Sequence, residues 1–153
     1  MRRWRQAFVV LVLVSATVLG GRSLSHVILN DQLNTAAKAG DLRSVQASLS
    51  RGADIEGRSI HFKTPLMSAA EGGNGSVILF LLAHGADMNA HNGSGSVLMW
   101  AVASGNAGVV RTLLFRGADV NWRSEAGDTA LQMAKEYKQP AIAKMLQLAG
   151  AKN

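Results

Sequence analysis

The sequence predicts an all-α solenoid of about four stacked helix–turn–helix units joined by short hairpin loops. Three observations carry this. Near-identical tetrapeptides recur as RGAD at 51–54, HGAD at 84–87 and RGAD at 116–119, with a worn copy, AGAK, at 149–152. Their glycines, Gly52, Gly85, Gly117 and Gly150, stand 33, 32 and 33 positions apart. A second set of markers keeps the same phase: Thr64-Pro65-Leu66, Ser96-Val97-Leu98 and Thr129-Ala130-Leu131. One globule has no reason to repeat itself at that interval; an array in which each unit buries its face on the next does.

Residues 1–25 precede the array. The start MRRWRQ is basic, and AFVVLVLVSATVLGG at 7–21 is an unbroken weakly polar to apolar run. A helix crossing the bilayer core needs about 20 apolar residues, so a shorter run behind arginines reads as a secretory signal. The alternative left open is an uncleaved signal anchor that tethers the array to the inner membrane through residues 7–21. Ser23 and Ser25 form a small-x-small pair near the point where cleavage would fall. Residues 26–30 read as a linker.

Four units follow, at approximately 31–63, 64–95, 96–128 and 129–153. In the second to fourth, a Thr or Ser opens the first helix by accepting a hydrogen bond from a free backbone N–H, and Pro65 suits the first helical position because it has no N–H to lose. Small residues, Ala36-Ala37, Ala69-Ala70, Ala101-Val102 and Ala134, let a second helix approach closely. Gly40, Gly73 and Gly105 end the first helix, where a left-handed backbone is cheap only for glycine. The second helices carry apolar residues three and four apart: Val77, Ile78, Leu81, Leu82; Val109, Val110, Leu113, Leu114; Ile142, Met145, Leu146. Leu81 and Leu114 are expected to point inward as equivalents in adjacent units. Phe80, Met99, Trp100 and Phe115 are expected as core or half-buried packing rather than as a cofactor box. Helices this short are unstable alone in water, so stacking must supply the stability.

Charge and motifs narrow the function. The chain's net charge of +6 includes Arg2, Arg3, Arg5 and Arg22; residues 26–153 hold twelve Lys and Arg against ten Asp and Glu, a net of +2. With no arginine stripe interleaved with aromatics, nucleic acid is not the expected partner. The sequence has no cysteine, which excludes lipoprotein anchoring and disulfides. No H-E-x-x-H, G-x-S-x-G or Walker loop occurs, and no enzyme activity or cofactor is expected. GSGS at 93–96 has glycines too closely spaced for a dinucleotide loop. His61, His84 and His91 are loop residues for which a metal role is the minor reading.

The combined pattern resembles the ankyrin repeat. TPLMSAAEGGNGSVILFLLAHGADMN at 64–89 is the nearest copy and SVLMWAVASGNAGVVRTLLFRGADVN at 96–121 follows it closely. The first copy, LNTAAKAGDLRSVQASLSRGADIE at 33–56, lacks the Thr-Pro-Leu opening. The last, TALQMAKEYKQPAIAKMLQLAGAKN at 129–153, has Lys138 in place of the helix-ending glycine and is similar to a C-terminal cap.

This resemblance implies that the inter-unit loops are protruding fingers and that the first helices line a concave face, the two surfaces on which the family docks folded proteins. The first finger, GRSIHFK at 57–63, places Ile60, His61 and Lys63 at variable contact positions, and Phe62 where the family keeps glycine. The second is AHNGSG at 90–95. The third, WRSEAGD at 122–128, offers Trp122, Glu125, Ala126 and Asp128. On the first helices the corresponding positions are Lys38, Ala39, Glu71, Gly72, Ala103, Ser104, Glu136 and Tyr137. Ile60 and Phe62 beside His61 form one candidate anchor, Trp122 and Tyr137 another; the competing reading is that Phe62 and Trp122 brace their own loops. The expectation is a monomeric, non-catalytic, periplasmic scaffold for another protein. Its role is that of an accessory partner of an exported enzyme, as in small periplasmic ankyrin proteins that support a catalase, or alternatively of an immunity protein that neutralises a toxin or hydrolase.

Overall fold

Stacking begins with the helices themselves. The computed structural model describes residues 24–152, so the basic start and the apolar run at 7–21 lie outside the described residues. Among the described residues the helices are α1 (Leu24–Ala39), α2 (Leu42–Ser50), α3 (Pro65–Glu71), α4 (Gly75–Ala83), α5 (Val97–Ser104), α6 (Ala107–Phe115), α7 (Ala130–Glu136) and α8 (Pro140–Leu148). Of these, none is long and apolar enough to cross a membrane. The only β-pairing among them is two isolated antiparallel bridges, His91 with Ser96 and Arg123 with Thr129, at the bases of the second and third fingers.

Each unit pairs a first helix with a second, α1 with α2, α3 with α4, α5 with α6 and α7 with α8, and the first helices form a continuous row, α1 against α3 against α5 against α7. The starts are built as the sequence requires. Thr64, Ser96 and Thr129 cap α3, α5 and α7 by accepting from Met67, Met99 and Gln132, and Thr129 completes a reciprocal box with the Gln132 side chain. The first helix of the third unit stops at Gly105, φ 70°. In the fourth unit Lys138 takes the same left-handed backbone at φ 54°, as its phase demands, without glycine's freedom.

Two ladders of side chains lock neighbouring units together. Asn74 Nδ2 donates to the carbonyls of Ala37 and Lys38 at 3.0 and 2.7 Å, Asn106 Nδ2 to Gly73 at 2.9 Å, and Gln139 Nε2 to Val102 at 3.0 Å. These bonds fall on carbonyls at the C-terminal end of the preceding first helix, where the intrahelical ladder runs out; Ala37 and Val102 also accept there from the Gly40 and Gly105 N–H. At the other end of the units, Glu56 Oε1 accepts from the Asp87 N–H, Asn89 Oδ1 from Asp119, and Asn121 Oδ1 from Lys152.

Three expectations are corrected. Residues 26–30 are helical, part of α1, rather than a linker. The reason is the second ladder: among the described residues no loop precedes the first unit, and Asn30, 5 % exposed, reaches from α1 to accept the Asp54 N–H at 2.9 Å. The inward equivalent of Leu81 is Leu113, both fully buried, whereas Leu114 is only half-buried; the 32-residue step from Gly85 to Gly117 carries Leu81 to Leu113, so the pairing with Leu114 is one residue out of phase. Phe115 is not packing at all. It ends α6 as a residue 89 % exposed, while Met99 is buried and Phe80 and Trp100 lie partly buried against the core.

Candidate protein-binding face

The first finger is held rigidly from beneath. Asn34, 3 % exposed on α1, donates through Nδ2 to the carbonyls of Asn30 (2.9 Å) and Gly57 (2.7 Å), and its Oδ1 accepts from the Ser68 hydroxyl at 2.7 Å. Gly57 must be glycine, because a Cβ there would sit 2.3 Å from the Asn30 side chain. Above this base the hairpin closes through the Ser59 N–H to the Lys63 carbonyl (2.9 Å) and the Phe62 N–H to the Ser59 carbonyl (2.9 Å). Arg58 spans the turn, donating to the carbonyls of Phe62 at 2.9 Å and His91 at 3.1 Å, so it also ties the first finger to the second. The third finger repeats the closure with Arg123 on the Gly127 carbonyl, and the Glu125 N–H donates to the Gly93 carbonyl of the second finger at 2.9 Å.

On this frame the residues singled out in the sequence divide into two groups. Ile60 and Phe62 stand 71 % and 70 % exposed, with His61 exposed between them. Phe62 has φ 57°, a left-handed backbone that costs a residue with a Cβ about 1–2 kcal/mol. Glu125 and Asp128 are exposed on the third finger, and Glu136 and the half-exposed Tyr137 lie at the far end of the first-helix row.

The other group works inside the array. Lys63 Nζ meets Glu71 at 2.8 Å and lies 3.5 Å from the centre of the Trp100 ring, bridging the first finger to α3 and α5. Glu71 also meets Lys38 at 3.1 Å, one unit away. Burial alone would raise the Glu71 carboxyl, but its hydrogen bonds and charge contacts with Lys63 and Lys38 outweigh that and hold it below the usual range. Ser104 donates to the Ala101 carbonyl at 2.7 Å and accepts the Asn106 N–H at 3.2 Å. Trp122 is half-buried, its ring 5.1 Å from that of His91, and braces the third finger on the second.

Between α1 and the first finger lies an open groove of about 660 Å³ whose walls include Asp31, Thr35, Ala39, Ile60, His61 and Glu71. Asp31 and Thr35 were not legible as site residues, because nothing in the first unit's sequence marks which face of α1 overlooks the finger. His84 stacks on Phe80 with ring centres 4.0 Å apart, and His91 stacks on Trp122. Among the described residues no three His, Asp or Glu side chains converge as metal ligands. The arrangement is one for contact, with a displayed apolar pair, a groove at its foot and a rigid support. In comparison with known proteins, the family model described as ankyrin repeats, in 3 copies, matches residues 33–124.

Proposed function

Because the chain belongs to the ankyrin-repeat family, a family of protein-binding scaffolds, we propose that it is a non-catalytic accessory partner of an exported enzyme. On this reading it acts outside the cytoplasm and grips its partner with the first finger and the first-helix face. The observation that carries the reading is the display of Ile60 and Phe62. A protein loses stability by holding a phenylalanine left-handed, and a residue that is 70 % exposed recovers little of it through its own packing. Local strain of this kind is kept where a side chain must be aimed. Two large apolar residues above a groove, on a finger fixed by Arg58 and Asn34, form a pre-ordered anchor of the sort that dominates protein interfaces. The basic start and the apolar run at 7–21 support a location beyond the inner membrane.

The test is recovery of the C-terminally tagged full chain from the periplasmic or inner-membrane fraction together with its partner. The Ile60→Ala, Phe62→Ala pair should lower co-recovery of one exported enzyme at least tenfold. A chain found soluble, full-length and cytoplasmic overturns the location. A partner whose toxic or hydrolytic activity is blocked on binding overturns the accessory role in favour of inhibition.

A further inference from the structure

The side of the molecule away from the fingers has its own chemistry, independent of what the first finger holds. None of the four second helices, α2, α4, α6 and α8, contains an acidic residue. Their exposed positions recur one unit apart, so they form rows across the stack. One row runs Gln46, Leu79, Arg111, Lys144, all exposed. The next, a helical turn later, runs Ser50, Ala83, Phe115, Leu148, and its last two members are 89 % and 80 % exposed. At the helix ends Arg51 and Arg116 extend the same basic edge. In sequence the carboxylates nearest this face are Asp54, Asp87 and Asp119, four residues after Ser50, Ala83 and Phe115, where each accepts a backbone N–H of its own loop, from Glu56, Asn89 and Asn121; Asp41, at the start of α2, has both oxygens engaged by Ser44. The others lie on α1, in the loops, or on α3 and α7.

We propose that this face docks on an anionic phospholipid surface. Phe115 and Leu148 end adjacent second helices, and helices in contact lie about 8–10 Å apart, so the two form one apolar knob with Arg111 and Lys144 a turn away. Arg111, Arg116 and Lys144 make no ion pair among the described residues, so their charge is available outside. Apolar side chains that enter the headgroup layer beside lysines and arginines that meet lipid phosphates are the two components of interfacial binding, and each alone is weak. An acidic protein surface would match the charge, but it does not call for a protruding knob; a soft headgroup layer accepts one. The apolar run at 7–21, if retained, would keep the array within reach of that layer.

The sequence has no cysteine, so single-site labels are clean. An environment-sensitive fluorophore on Ala83→Cys, in the same row as Phe115, is compared with one on Ser94→Cys at the second fingertip, both in the full chain. With phosphatidylglycerol-containing vesicles the label at 83 should shift to the blue and the label at 94 should not. The shift should vanish in about 0.5 M salt and be absent with phosphatidylcholine alone. Arg111→Glu with Lys144→Glu should raise the lipid concentration needed at least tenfold. Phe115→Ser with Leu148→Ser, which changes no charge, should shrink the shift, and circular dichroism melts confirm that each variant is folded. Equal shifts at both labels, a shift with neutral lipid, or indifference to both variant pairs overturns the proposal. So does a shift that follows protein concentration without lipid, which would assign the face to a second copy of the chain, or no shift with anionic vesicles, which would leave the face to an acidic protein.

Discussion

Replacing Phe62 by glycine should make the protein more stable and a worse binder at once. The left-handed backbone at Phe62 costs about 1–2 kcal/mol relative to glycine, and glycine gives back about 0.5–1 kcal/mol through the greater freedom of its unfolded chain. The side chain's burial hardly enters, since 70 % of the residue is exposed already, and its N–H bond to Ser59 survives the change. The net is a gain of roughly 0.5–1 kcal/mol, or about 1–4 °C in melting temperature for a chain of this size. On the binding side, an interface anchor contributes about 2 kcal/mol, close to thirtyfold in affinity. Thermal melts by circular dichroism, run beside a Phe62→Ala control that keeps the strain while losing the ring, measure the first effect; titration with the recovered partner measures the second. If Phe62→Gly melts below the parent, the ring braces its own loop. If it binds as well as the parent, the ring is not an anchor.

Three further outcomes test the array. Leu113→Asp buries an unpaired charge at a cost of several kcal/mol and should abolish cooperative helical melting, whereas Leu114→Asp, at a half-buried site, should only lower the midpoint; the reverse order would show the register to be wrong. Asn34→Ala strips partners from the Gly57 carbonyl and the Ser68 hydroxyl and should cost about 2 kcal/mol in urea melts, with part of the loss recovered when Ser68→Ala is added; full additivity of the two would refute the network. Burial, and then the negative charges of Asp87 and Asp54, raise the Glu56 carboxyl despite the Asp87 N–H and Arg58. The folded state therefore holds that proton more tightly, and stability present below the ordinary carboxylate range is lost as pH rises through the raised folded value. Glu56→Gln keeps an oxygen for the Asp87 N–H and should stabilise at pH 7 by a few tenths of a kcal/mol, discounted for solvent screening, with the gain fading as pH falls into the ordinary carboxylate range; a loss at pH 7 would contradict this.

The period, the caps of the last three units and the helix stops were legible because each is a local requirement that a unit meets alone. Lys138 shows how strongly phase governs: the backbone turns left-handed there although the residue is a lysine. What escaped the sequence depends on contacts between units. Nothing in residues 26–30 says that Asn30 must hold the first unit's loop and so extend α1. Lys63 and Glu71 sit at contact positions of the family pattern, and only the distances to Trp100 and Lys38 show that the array uses them itself. Phe115 misleads in the other sense, since an apolar residue at helical spacing reads as core until the outer row is seen to have nothing packed on it among the described residues. Ile60, His61 and Tyr137 are exposed, as their positions in the ankyrin pattern imply.

The central claim, that the first finger and first-helix face hold the partner, is tested most directly by site-specific photo-crosslinking in cells. A photoreactive group is placed singly at Ile60, at Tyr137 and, on the opposite side, at Ser76, which is exposed on α4. The account predicts one discrete adduct with the same protein from position 60, a weaker one from 137 and none with that protein from 76. An adduct with the partner from position 76 and none from 60 would place recognition on the second helices and contradict it.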